Sequence, residues 1–276
     1  MPAVTHLRTL EIDIPAQPDV LVKLSLLLAD DAVNQQAVAA LVECDMALAS
    51  AVMRAVNSAV YGVAGRVQSV RQALSYLGTR EVAGITFEMG LRAAFAPAAE
   101  LQPIWARATL RSQLMSRLAL ALGLDAWAAH SAGLFEECGK AVLFRHAPDH
   151  YRAMLRAAPH DGDLCQLERV GFGISHDALG AALCDSWGMG STAVTCVRLH
   201  VQAQTLMVLA APPAKRGVLA LSVIAATLMS RPASLEEVAP MICPLAELDL
   251  DLTLRSARGL VEQLTAAQTA AQAPRR

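Results

Sequence analysis

Apolar residues recur along this chain at intervals of three and four, the spacing that lines one face of an α-helix. Val38, Leu41 and Val42 form one such stripe, and Leu48, Val52, Met53 and Val56 form the next. Asp45 falls between them, and its short carboxylate suits an N-cap, accepting backbone N–H groups of the following turn. The pattern predicts helices over 34–44 and 46–56 joined at a tight corner, after a helix over 18–29 with Asp30, Asp31 and Asn34 as turn or cap residues. Tyr61-Gly62 through Gly65 breaks the periodicity and reads as a loop. Ser69 is placed to cap a helix that runs to Leu77 and stops at Gly78, and Thr79 opens another that continues to about Phe95.

Pro97 to Pro103 interrupts the helical pattern and is the natural boundary between two blocks. Beyond it the stripes predict helices over 105–122, 125–135, 140–146, 164–170, 177–186, 191–199, 217–230, 234–239 and 253–271. Pro148, Pro159, Gly162 and Pro212-Pro213 read as breaks. Alternating apolar–polar runs and internal repeats are missing. The fold class expected is all-α: an N-terminal bundle over 14–100, a second helical block over 101–232 and a C-terminal helical extension over 233–276.

Composition agrees with a packed helical core and narrows the chemistry. Hydrophobic residues make up 54% of the 276 and charged residues 17%, which excludes a disordered chain; aromatics at 4% leave Leu, Val, Ala and Met to fill the interior. Met46, Met53, Met89 and Met115 fall on helical faces and are expected in the core. A net charge of −2 with no Lys/Arg run argues against a nucleic-acid partner. Cys44, Cys138, Cys165, Cys184, Cys196 and Cys243 include no C-x-x-C pair and read as reduced core thiols. The start of the chain has no secretory pattern, and the apolar stretch 217–229 is shorter than a bilayer needs, so a cytoplasmic location without a membrane partner is expected.

Several ordered motifs then stand out. Ile14-Pro15-Ala16-Gln17-Pro18 opens the first block; Asn57-Ser58-Ala59-Val60-Tyr61-Gly62 follows the third helix, and Ser69-Val70-Arg71-Gln72-Ala73 and Leu77-Gly78 come after it. In the second block, Ala132-Gly133-Leu134 precedes Gly139-Lys140, and His176-Asp177-Ala178-Leu179-Gly180 precedes Trp187-Gly188-Met189. This set, spread over 14–210, resembles the HDOD family, regulatory relatives of the HD-domain phosphohydrolases. Met46 stands where the family usually has proline. The resemblance implies an HDOD-like multi-helix fold with a degenerate HD-like second block. Asn57, Ser58, Tyr61, Gly62 and Ser69 are either a fixed helix–loop–helix joint or a binding surface.

HD phosphohydrolases hold a divalent metal with a His, a His-Asp pair and a distant Asp, which activate water against a phosphoester. The resemblance places the His-Asp pair at Glu136-Glu137, the first His on the helix around Arg107, and the last Asp near Ala225-Ala226-Thr227. Adjacent glutamates on a helix would diverge by about 100°. His176 and His200 are either satisfied core histidines or part of a degenerate pocket with Arg107, Glu136 and Glu137. His146 and His150 have metal-compatible spacing, which Pro148 is expected to break. Cys138 beside Lys140 is either an inert buried thiol or one with a lowered pKa. The reading is a non-enzymatic bacterial signal-transduction module with no cofactor, binding a signalling protein or a small molecule such as a nucleotide. The alternative is a metal-dependent phosphohydrolase with altered ligands.

Overall fold

The computed structural model describes residues 12–28, 34–57 and 67–272, with side chains to residue 263. The first block is α1 (Asp19–Leu28), α2 (Gln35–Glu43), α3 (Met46–Val56), α4 (Val70–Leu77) and α5 (Thr79–Ala93). The predicted caps form. Asn34 and Asp45 each accept two backbone N–H groups of the next turn, and Ser69 accepts one from Gln72. Asp45 turns the chain so that α2 and α3 meet at 115°. Gly78 takes φ +82°, a conformation that side chains rarely adopt, which lets α4 stop and α5 begin on consecutive residues.

The second block contains α6 (Leu101–Ala121), α7 (Ala126–Phe135), α8 (Cys138–His146), α9 (Pro148–Ala157), α10 (Asp161–Phe172), α11 (His176–Ser186), α12 (Ser191–Leu206) and α13 (Pro213–Ser230). Single-turn 3₁₀ segments at Pro232–Ser234 and Pro244–Ala246 flank α14 (Leu235–Ile242), and α15 (Leu250–Gln272) ends the described chain. No strand occurs among the described residues. Four expectations need correction. The helix expected from residue 105 starts at Leu101, with Pro103 in its first turn, where a missing N–H costs nothing. Pro148 does more than break a helix: it starts α9, which the apolar pattern did not reveal. Met46 is 83% exposed rather than core, and Cys44 is exposed while the other five thiols are buried.

One apolar core runs through both blocks, from Leu21 to Leu260. Its aromatic centre joins them. Phe87 of α5, Phe135 of α7 and Trp187 lie within 6.2 Å of one another by ring centroid, and the Trp187 indole donates to the Pro15 carbonyl at 2.8 Å.

Within the second block the motif glycines have a packing role. A Cβ on Gly139 would sit 1.9 Å from the His176 carbonyl oxygen, and one on Gly180 would sit 2.9 Å from the Phe135 carbonyl oxygen. The α8 and α11 backbones therefore touch, and His176 is brought beside the chain segment carrying Glu137 and Lys140. Among the described residues no single helix is long and apolar enough to cross a membrane.

Candidate functional site

Glu136 and Glu137 sit in the two-residue turn between α7 and α8, in the gap between the helices expected over 125–135 and 140–146, and both are fully buried. Arg111 reaches both: one guanidinium nitrogen bonds Glu136 and the other lies 3.1 Å from Glu137. Arg107, one turn earlier on α6, holds the same Glu137 oxygen at 3.1 Å. Lys140 lies 2.8 Å from the other Glu137 oxygen and 2.8 Å from Asp161 at the start of α10. Gln204 donates to Glu136 at 3.3 Å and to Ser222 at 2.9 Å. Burial would raise the Glu137 pKa, but Lys140, Arg111 and Arg107 outweigh it and bring it down to about 2. Burial works against the charge on Lys140 and Arg111 too; the facing carboxylates win and raise both pKa values. Both Glu137 oxygens and one Glu136 oxygen are engaged by cationic side chains, and the other Glu136 oxygen accepts from the Cys196 thiol at 3.7 Å.

A second buried group adjoins the first. Glu168 of α10 accepts from the Tyr151 hydroxyl at 2.6 Å, from the His176 backbone N–H at 2.7 Å and pairs with His176 Nδ1 at 2.8 Å. Burial alone would lower the His176 pKa; hydrogen bonds with Cys165 and Glu168 and the Glu168 charge reverse this and raise it to about 10. His200 of α12 donates from Nδ1 to the Val197 carbonyl at 2.7 Å. Its pKa is lowered, by burial first. The two imidazoles face each other at 5.8 Å between centroids. Donor atoms of Asp161, His176 and His200 lie within 4.8 Å of one another. A second grouping, Cys165–Glu168–His176, is already tied together by its own hydrogen bonds.

Beside the charged cluster lies a polar cavity of about 290 Å³, lined among others by Arg107, Arg111, His160, Asp161, Gln204 and Arg231. Ala226 and Thr227, near which the resemblance placed the last metal ligand, also line it and bring no carboxylate.

The structure thus gathers Arg107, Glu136, Glu137, His176 and His200 into one region. It places Asn57 and Ser69 elsewhere. The Asn57 amide donates to Met53 and Val67 carbonyls at 3.1 and 2.8 Å, tying the end of α3 to the segment before α4, and Ser69 caps α4. Ser58, Tyr61 and Gly62 lie outside the described residues. His146 ends α8 and His150 lies on α9; both rest against the Phe172 ring rather than on one helical face. Cys138 is buried, with its thiol pKa pushed well up by burial.

Sequence reasoning missed Arg111, Lys140, Asp161, Glu168, Tyr151 and Gln204. Two of these carried a signal: Arg107 and Arg111 are four apart on α6, and Glu137 and Lys140 are three apart. Nothing local marks Asp161 or Glu168, which meet the cluster through tertiary packing.

An HDOD domain model matches residues 14–203, well over half of the chain. The chain belongs to the HDOD family. An HDOD domain protein of unknown function from Geobacter sulfurreducens has the same fold, with a TM-score of 0.73 at 20% identity, over 94% of this chain and 92% of that one. A proposed signal transduction protein from Marinobacter aquaeolei VT8 matches with a TM-score of 0.72 at 23% identity, over 95% of this chain and 60% of its own. An uncharacterised protein of Treponema pallidum (strain Nichols) is 25% identical over 197 residues, 68% of this chain and 37% of the relative. The chain therefore spans little more than a third of that relative's length.

Proposed function

We propose that this HDOD chain is a regulatory module of bacterial signal transduction that acts by binding a partner protein or a small signal molecule, and not by catalysis. The observation that carries the reading is the engagement of Glu136 and Glu137 by Arg111, Arg107 and Lys140. Three side-chain cations surround the position where a phosphohydrolase would hold its metal, so a reactive divalent ion there would meet both occupied ligands and like charge. The metal centre of a catalytic HD domain does not fit these residues. Family membership and the likeness to the Marinobacter signalling protein support a regulatory role. The polar cavity beside Arg107 and Arg231 is the place for a small ligand of this module.

The test is a phosphodiester and phosphomonoester hydrolysis assay of the purified chain with Mg²⁺, Mn²⁺ and Zn²⁺, run beside thermal melts with a panel of nucleotides. Turnover no faster than in protein-free controls, with a melting shift for one of the nucleotides or a captured signalling partner, is expected. Metal-dependent turnover that disappears in Glu136→Gln would overturn the reading. The Asp161–His176–His200 grouping favours one competing reading, a phosphohydrolase with altered ligands. Turnover that depends on His200 would establish it.

A further inference from the structure

Among the described residues three histidines, His130, His176 and His200, have a buried Nε2 with no hydrogen-bond partner, and two of these rings, His176 and His200, face each other. His176 and His200 are both fully buried, and the Nε2 atom of each has no partner among the described residues. An orphaned buried ring nitrogen costs free energy unless something occupies the space before it. On both rings the other nitrogen is engaged: Nδ1 of His176 by Glu168 at 2.8 Å and Nδ1 of His200 by the Val197 carbonyl at 2.7 Å. A carboxylate or carbonyl on Nδ1 keeps the proton there and leaves Nε2 to act as a ligand, and it also fixes the ring's orientation. Tyr151 in turn holds Glu168 at 2.6 Å. Asp161 supplies a third donor, and a ring nitrogen of each histidine and a carboxylate oxygen of Asp161 lie within 4.8 Å of one another.

We infer that Asp161, His176 and His200 form a binding site for one transition-metal ion of the zinc class, which adjoins the Glu136–Glu137 cluster through Lys140 and Arg107. Two imidazoles and one carboxylate suit Zn²⁺, Co²⁺ or Ni²⁺ and not the oxygen-seeking Mg²⁺ or Ca²⁺. Ligand bonds of ~2.1 Å in a tetrahedral shell put donors ~3.4 Å apart, so the three close in by ~1 Å on binding. The ion takes the place of any proton on His176 Nε2, and that proton leaves to solvent.

Neighbouring charge does not forbid the ion. Lys140 holds one Asp161 oxygen at 2.8 Å and Arg107 approaches the other at 3.5 Å, and each oxygen keeps a second lone pair. Four carboxylates, on Glu136, Glu137, Asp161 and Glu168, face three permanent cations, on Arg107, Arg111 and Lys140, and the His176 imidazole, whose raised pKa makes it the fourth. When the ion displaces the His176 proton, the four carboxylates face only three cationic side chains, and the charge of the ion offsets the difference. The site joins α10, α11 and α12, so an ion there ties three helices together.

The test uses the full chain freed of metal by a chelator. Titration with Co²⁺, followed by visible absorption, is expected to give one equivalent of bound ion with the intense bands of a four- or five-coordinate centre. X-ray absorption of the Zn²⁺-loaded wild type is expected to show two imidazole ligands, a result that needs no variant to fold. His200→Gln and His176→Gln are expected to weaken binding at least tenfold, while His130→Gln, a histidine remote from the site, binds as wild type. Absence of stoichiometric binding by the wild type, an octahedral all-oxygen spectrum, or binding unaffected by both site variants would overturn the assignment. Hydrolysis assays of the loaded protein test the non-catalytic reading independently, because the ion can bind with or without turnover.

Discussion

The guanidinium of Arg111 is 2% exposed and contacts two carboxylates that are fully buried. A buried ion pair contributes little net stability, yet deleting one partner leaves the other charged and unsolvated. Arg111→Met is therefore expected to cost about 3–5 kcal/mol in urea unfolding at neutral pH, and adding Glu136→Gln and Glu137→Gln is expected to restore much of that loss. His130 makes a different electrostatic prediction. Burial against α5 lowers its pKa from 6.5 to about 4, and the Gly84 carbonyl opposes this only in part. The folded state holds this ring neutral while the unfolded chain protonates it below pH 6.5, so stability falls as pH drops from 6.5 towards 4. The loss is about 1–3 kcal/mol over that window. Thermal melts of His130→Gln against pH are expected to be flatter between pH 6.5 and 5 than those of the wild type.

At the scale of elements, capping and close approach explain why the helices lie where they do. Asn34, Asp45 and Ser69 were legible as caps or turn residues because a cap is a local arrangement of one side chain and the next turn's N–H groups. The glycines of the second block were legible only as motif positions. Their reason is the α8–α11 contact, where a methyl group on Gly139 would run into main chain that no rotamer change can move. Gly139→Ala is expected to destabilise by about 3 kcal/mol or more. Gly259→Ala, with open space around its Cβ on α15, is expected to stabilise by about 0.5–1 kcal/mol. Chemical denaturation of the pair, with opposite signs, checks the assignment. Helix α9 stayed hidden because its buried side chains are few, Tyr151 and Met154, and the prolines at 148 and 159 dominate the local pattern.

Across the whole molecule, the two blocks share one core through Phe87, Phe135 and Trp187, and the Trp187–Pro15 hydrogen bond joins positions 172 residues apart. Such sharing predicts one cooperative transition over the described helices. Calorimetric and van't Hoff enthalpies are expected to agree for the wild type. Trp187→Ala is expected to cost about 3–5 kcal/mol, through the lost ring contacts and the Pro15 carbonyl left without its donor. A wild-type enthalpy ratio well above one would show that the blocks unfold separately.

The order of residues alone determined the all-helical class, most helix positions, the caps and the presence of Glu136-Glu137, His176 and His200 as chemically interesting side chains. These follow from periodicity and from interactions that reach at most four residues along the chain. Only the tertiary structure decided what those side chains face. Arg111 against the glutamates, Glu168 behind His176, and Asp161 near the two imidazoles all arise from helix crossings. Charge in a buried site is set by which helices cross there, and neighbours along the chain do not encode that.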